Sequence, residues 1–306
     1  MSEHDPSSSR TKDDRQMELI EEMFRASHRE NVRWRRWTIF FRLFAISFIA
    51  LIIIVELSLI SSGGRGVPSP GDEHTALVEV NGVIAEQNDA NADRIVTGLR
   101  EAFKAENSKA VLLRINSPGG SPVQSGQVYR EIERLREKHP EKKLYAAITD
   151  MGASGAYYIA AAADEIYADP ASIVGSIGVI MQGFGFTDAI DKLGVERRML
   201  TAGENKDMLD PFQPVDPEQQ KHVQGMLGNI HDQFIEAVKK GRGDRLADPA
   251  KHQLFSGLFW TGERAVELGL ADGLKSPGQV ARDVVGAKDI VNYTPRKNPF
   301  DQLLNR

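Results

Sequence analysis

The chain has 306 residues, 41% of them hydrophobic, which is enough to bury one sizeable core and allows one or two domains. It contains no cysteine, so disulfides and thiolate metal sites are excluded and a metal would have to rest on histidines and carboxylates. The net charge of −5 carries no overall basic bias, which removes the electrostatic footprint of nucleic-acid binding apart from one cluster, Arg25, Arg29, Arg33, Arg35 and Arg36.

That cluster abuts an almost wholly apolar run, residues 37–60, with Arg42 near one end and Glu56 near the other. A helix of this length spans about 36 Å, enough for a bilayer of about 30 Å hydrocarbon thickness. Both charges can snorkel toward opposite interfaces. Arginines crowd only the N-terminal flank, so the positive-inside rule predicts residues 1–36 in the cytoplasm and everything after the span outside. A cleaved signal peptide is the competing reading, because Ser61-Ser62-Gly63 supplies small residues, but a 36-residue n-region is long for one. Residues 61–74, rich in Ser, Gly and Pro, read as a linker to a folded domain over 75–293, with a polar tail at 294–306.

Within that domain, residues 77–84 read as a strand broken by the turn signal Asn81-Gly82, and residues 91–105 as a helix with Ile95, Leu99 and Phe103 on one face. Residues 110–115 form a continuous apolar strand, which suggests burial on both faces of a parallel sheet. It ends at Asn116-Ser117-Pro118-Gly119-Gly120, and a helix over 124–137 follows. Next come a strand at 144–148, the small-residue stretch 150–163, a strand at 165–168 and a turn at 174–178. Short strands are expected at 179–181 and 196–200 around a helix near 187–193. Residues 201–214 lack periodicity and read as a loop. A long helix over 216–241 begins with Asp216-Pro217, and a short one over 261–268 is ended by Gly269. Alternation of this kind predicts an α/β fold with crossover connections.

Four stretches carry candidate chemistry. Ser154 stands between Gly152-Ala153 and Gly155-Ala156 at a strand-to-helix junction, where the unpaired N–H groups of the helix start would favour negative charge. The same residues also suit a plain helix cap with closely packed glycines. The turn at Gly119-Gly120 offers N–H groups for an oxyanion; it has neither the Walker lysine nor the G-x-G-x-x-G spacing of a phosphate loop. Ser176, in Gly175-Ser176-Ile177-Gly178, is a turn serine able to orient an amine. No histidine falls in these turns; lysine is the other general base a serine enzyme can use, and Lys206, alone in an irregular loop, is a candidate, although the same position suits an ordinary surface lysine. A lysine base must be neutral near pH 7, which needs desolvation, and Glu204 and Asp207 oppose that. Burial would have to come from tertiary or subunit contacts.

Taken together, Asn116-Ser117-Pro118-Gly119-Gly120, Gly152-Ala153-Ser154-Gly155-Ala156-Tyr157-Tyr158, Gly175-Ser176-Ile177-Gly178 and Gly203-Glu204-Asn205-Lys206-Asp207 resemble, in order and spacing, the short form of signal peptide peptidase A. Trp260-Thr261-Gly262-Glu263-Arg264-Ala265 and Leu268-Gly269-Leu270-Ala271-Asp272 resemble that family's ending, so the likeness runs over 77–274. The first turn alone is shared with the Clp protease proteolytic subunit and, loosely, with crotonase-type enzymes. The resemblance implies a Clp protease/crotonase-like fold and a cofactor-free Ser-Lys dyad peptidase that degrades residual signal peptides, anchored in the bacterial inner membrane with its catalytic domain on the extracytoplasmic side. It assigns Ser154 as nucleophile, Lys206 as general base, Ser176 as the hydroxyl positioning the lysine, and Gly119, Gly120 and Gly155 to the oxyanion region. Double-length members of the family carry lysine in one half and serine in the other. The short form is therefore expected to be a homo-oligomeric ring that shares each dyad between neighbouring subunits.

Three alternatives stand beside this reading. One is a membrane-tethered scaffold of the same fold without catalysis. A second is an α/β-hydrolase esterase, although Gly152-x-Ser154-x-Ala156 lacks the final glycine and His222, His231 or His252 would have to serve. A third is a crotonase-like CoA enzyme.

Overall fold

A computed structural model describes residues 37–54 and 72–295. The expectations for 1–36, for the end of the span at 55–60, for most of the linker and for the tail beyond 295 fall outside the described residues. The chain divides into two compact units, Met1–Val67 and Pro68–Arg306.

In the first unit, α1 (Trp37–Ile54) is a helix of 18 residues, apolar and long enough to cross a membrane by length and composition. Phe40, Phe44 and Phe48 stack one turn apart, with ring centroids 6.4 and 6.3 Å apart, as i,i+4 spacing requires.

The second unit is an α/β fold. In chain order it comprises β1 (His74–Asn81), α2 (Ala92–Lys104), β2 (Ser108–Ser117), α3 (Pro122–Lys138), β3 (Leu144–Ala153), α4 (Gly155–Ala160), β4 (Glu165–Ala168), β5 (Ile173–Gly175), α5 (Thr187–Lys192) and α6 (Pro217–Arg242). A 3₁₀ turn, β6 (Phe259–Thr261), α7 (Gly262–Glu267), β7 (Gly273–Leu274), α8 (Pro277–Gln279) with a π-helical continuation, and β8 (Ile290–Asn292) complete it. The sheet runs β6-β5-β3-β2-β1-β8, with β4 beside β3 and β7 beside β4. Every pairing is parallel except β5 with β6.

Apolar runs without alternation built the central strands, and both faces are covered: Val111, Leu112, Leu113 and Ile115 are all fully buried. Helix α2 starts where the sequence signals it, with Asn91 accepting from Arg94 N, whereas α3 starts before the expected 124, at Pro122, with Ser121 accepting from Gln124 N. Asp216 likewise caps α6 from two amides. One strand organises the rest. Residues 145–148 of β3 pair with β4, and residues 151–153 of the same edge pair with β5. The sheet therefore forks at the carboxyl end of β3, and a crevice opens where ligands bind in open α/β sheets.

Helix α4 is locked from below by polar anchors. The fully buried Tyr157 donates its hydroxyl to Leu270 O at 2.8 Å, and burial pushes that phenol well above its ordinary range. Beside it Arg242, 1% exposed, forms a fork to Asp272 at 2.7 and 2.9 Å and gives Nε to Gly269 O. Burial works to raise the Asp272 carboxyl, but hydrogen bonds from Arg242 and the Ile166 amide hold it below the usual carboxylate range.

Several elements differ from the sequence reading. Residues 179–181 and 196–200 form no strands: Val179 and Met199 are only half-buried, and Ile180, Met181 and Leu200 are exposed. β6, β8 and the turn over 277–285 were not anticipated, because strands of three residues are too short to show a period. Thr294 and Pro295, at the start of the expected polar tail, accept hydrogen bonds from Glu79 N and Arg94 Nη2.

Replacing Asp272 by Asn would leave the buried Arg242 without its charge partner. The expected loss is about 3 to 5 kcal/mol at pH 7, read by urea unfolding. The pH dependence has a fixed sign. The contribution of a depressed carboxyl is present above its unfolded pKa of about 3.9 and lost as pH falls through the lower folded value, so wild type and variant should converge only in that acid range.

Candidate active site

Ser154 lies between β3 and α4 with φ 54° and ψ −127°, a conformation that costs a non-glycine residue about 1–3 kcal/mol. The corner is held from both sides. Ser154 N donates to Gly175 O at 2.8 Å, and Ser154 O accepts from Tyr158 N at 3.0 Å. The Ser154 side chain makes no capping bond, so the plain helix-cap reading does not describe it.

Against this corner packs the turn after β2. A Cβ at Gly119 (φ 95°) would lie 2.7 Å from Ala153 O, Gly155 N and Ser154 Cβ, so the two backbones meet closer than any side chain permits. The turn is clamped to the chain after β1: Ile84 N donates to Gly119 O at 2.9 Å and Ser121 N donates to Ile84 O at 2.8 Å. A Cβ at Gly120 would overlap the Ile84 carbonyl. The sequence leaves open which glycine offers a donor. In the structure Gly119 N is occupied by Ser117 Oγ at 3.1 Å, whereas Gly120 N and Gly155 N have no partner among the described residues. These two N–H groups flank Ser154.

Ser176 follows Gly175 on β5, and Gly175 pairs with Ala153 on β3, so Ser154 and Ser176 are the next residues on adjoining strands. Ser176 also has a positive φ, 53°, and its amide donates to Leu258 O at 2.7 Å. Ser154, Ser176, Gly119, Gly120 and Gly155 are thus brought together. Lys206 is not. It stands exposed in the turns between α5 and α6, outside the lining of the Ser154 cavity, and makes no ion pair among the described residues.

The cavity beside Ser154 has a volume of about 100 Å³ and is lined by Tyr158, Val179, Ile180, Ile230 and Phe234 together with the glycines. Tyr158 stacks on Phe234 with centroids 4.8 Å apart, which ties α4 to α6. The sequence reading missed this lining. Its signal is the placement of Ile230 and Phe234 four apart on α6 and of Tyr158 one turn after Ser154. No histidine lines the cavity; His231 spends one ring nitrogen on Ile177 O at 3.1 Å. A wider hollow of about 780 Å³ runs along one face of α6 past His222, Met226 and Asn229 and is lined by no serine or threonine. Among the described residues no cluster of His, Asp and Glu could hold a metal.

A serine at a strained strand-to-helix corner, with unpaired N–H groups beside an apolar cavity, is the arrangement of an α/β serine hydrolase. Comparison with known proteins narrows it. Residues 136–290 match the model of peptidase family S49. A protein of Methanocaldococcus jannaschii provisionally named a protease is 31% identical over 274 residues, 83% of this chain and 86% of that protein. Protease 4 of Haemophilus influenzae is 34% identical over 221 residues, 71% of this chain and 35% of its own. A Brucella abortus protein named Na(+)/H(+) antiporter NhaA is 49% identical over 190 residues, 62% of this chain; the chain spans a quarter of that relative's length. The chain belongs to peptidase family S49, in its signal peptide peptidase A type.

Replacing Gly120 by Ala should cost about 1–3 kcal/mol of stability, because the new methyl meets the Ile84 carbonyl at a φ of 152°. Urea unfolding of the purified chain checks it; an unchanged midpoint would show that the clamp at Ile84 yields freely.

Proposed function

We propose that this chain is a membrane-anchored serine endopeptidase that uses a Ser154–Lys206 dyad to degrade residual signal peptides. The observation that carries the reading is the strained Ser154 corner with Gly120 N–H and Gly155 N–H unpaired beside it. Lys206 takes the proton from Ser154 Oγ, the alkoxide attacks a peptide carbonyl, and the oxyanion is received by the two N–H groups. The leaving amine takes the proton from Lys206. Water, deprotonated by the same lysine, then attacks the acyl-enzyme, and Lys206 returns that proton to Ser154 Oγ as the ester bond breaks. Ser176 orients the Lys206 amine. The apolar lining from Tyr158 to Phe234 suits the apolar segment of a signal peptide. A cavity without histidine speaks against the esterase alternative. The family membership supports a Clp protease/crotonase-like fold.

Lys206 serves the nucleophile of a neighbouring subunit in a ring. Two features support this. Lys206 is exposed within its own chain, where no desolvation is available. The segment that carries it is apolar and uncovered: Ile180, Phe184, Leu193 and Leu200 are each at least 75% exposed, and α5 buries nothing. A second copy would cover that surface and dry the lysine together.

Ser154→Ala and Lys206→Ala should each abolish peptide hydrolysis without dissolving the oligomer. Co-assembled, the two inactive variants should regain part of the activity, since some neighbouring pairs then hold an intact serine and an intact lysine. No recovery in verified mixed rings would sink the shared dyad, and retained activity in Ser154→Ala would sink the assignment itself.

The anchor is α1, with residues 1–36 cytoplasmic and the peptidase unit outside. Alkaline extraction should leave the chain in the membrane pellet, and deletion of residues 37–54 should release it. In intact spheroplasts, added protease should reach the peptidase unit; protection of that unit would reverse the topology.

A further inference from the structure

Ser125 lies in the first turn of α3, five residues after Gly120, and its Oγ is fully buried without a hydrogen-bond partner. Among the described residues only one other buried side-chain atom is in that position, Asp210 Oδ2, and it has the Arg197 guanidinium at 2.7 Å. A helical serine ordinarily returns its hydroxyl to the carbonyl one turn back. Here the Ser121 carbonyl receives the Ser125 amide at 3.0 Å, and the hydroxyl faces Gly155 instead. A Cβ at 155 would overlap that oxygen, and Gly120 N lies 3.3 Å from the same point. The Ser125 hydroxyl and the Gly120 and Gly155 backbones therefore converge on one corner.

An alanine at 125 would bury no orphaned donor, so local stability alone does not account for the hydroxyl. We propose that Ser125 is a positioning residue of the oxyanion corner. Its bulk sets Gly155 against Gly120, and its O–H dipole, unpartnered in the free enzyme, turns toward the negative charge that develops between the two N–H groups. The inference rests on the reading that Ser154 attacks a carbonyl there. The effect is specific to the charged intermediate, because a neutral ground-state carbonyl draws the dipole far less.

The test uses the full chain carrying Ser125→Ala, with three readouts. Thermal unfolding should show a midpoint equal to or above wild type, since a buried orphan is removed. Steady-state peptide hydrolysis should show kcat lowered about tenfold with KM unchanged. Affinity for a peptide boronate, which forms a tetrahedral adduct on Ser154, should fall by the same factor, while affinity for the matching uncleavable peptide stays constant. Unchanged kcat would overturn the proposal, as would equal losses for boronate and peptide, which mark a packing role alone. If wild-type protein shows no hydrolysis that Ser154→Ala removes, the peptidase reading fails first, and this inference falls with it.

Discussion

The site depends on two stretches of backbone lying closer together than side chains allow. Residues 119–120, at the end of β2, press against residues 153–155, at the end of β3, and a side chain at Gly119 would strike Ala153, Ser154 and Gly155. The sheet brings them together because β2 and β3 are parallel neighbours whose register shifts between Ile115 and Ser117, just before the turn. That contact places Ser154 and the unpaired Gly120 and Gly155 amides beside a small apolar hollow roofed by α6. The close approach also uses binding groups economically. The Gly119 amide is absorbed by Ser117 and the Gly119 carbonyl by Ile84, so the turn is rigid while its next amide stays free.

Much of this could be read from the residues, and the part that could not has a physical reason. Buried parallel strands show as nearly continuous apolar runs, and α2 and α6 announce themselves by Asn91 and Asp216. Ser154, Ser176 and Gly119-Gly120 were visible as small-residue turns, and the structure does gather them at one end of the sheet. The fork of β3 was not visible, because nothing local marks which neighbour a strand edge takes at each residue. Nor was the lining by Ile230 and Phe234, which depends on how α6 crosses α4. The two expected strands at 179–181 and 196–200 failed for a related reason. Their apolar residues imply burial, but Ile180, Met181 and Leu200 stay exposed in this chain.

Helix α6 divides along its length. Its C-terminal half is fixed by Phe234, Ala237, Val238 and the Arg242–Asp272 fork, while only Val223 is buried before Phe234. One end therefore belongs to the core and sets the roof of the cavity. The other carries apolar residues such as Met226 into the open, beside the turns that hold Lys206. The Arg197–Asp210 pair and Phe212, over which the Arg197 guanidinium sits at 5.1 Å, give those turns some internal order of their own.

The edge of the sheet beside β1 has a temporal side. β1 pairs with β8, and Glu79 N meets Thr294 Oγ1 across 215 residues of chain. A strand at the very start of the folded unit thus waits for one at its end, and until that segment has been synthesised β1 presents bare amides and carbonyls to its surroundings. Closing so long a loop is slow by topology rather than by weak attraction. The sheet that carries the site is consequently finished last at the edge farthest from it, so the nascent domain can assemble the β2–β3 corner before its own border is sealed.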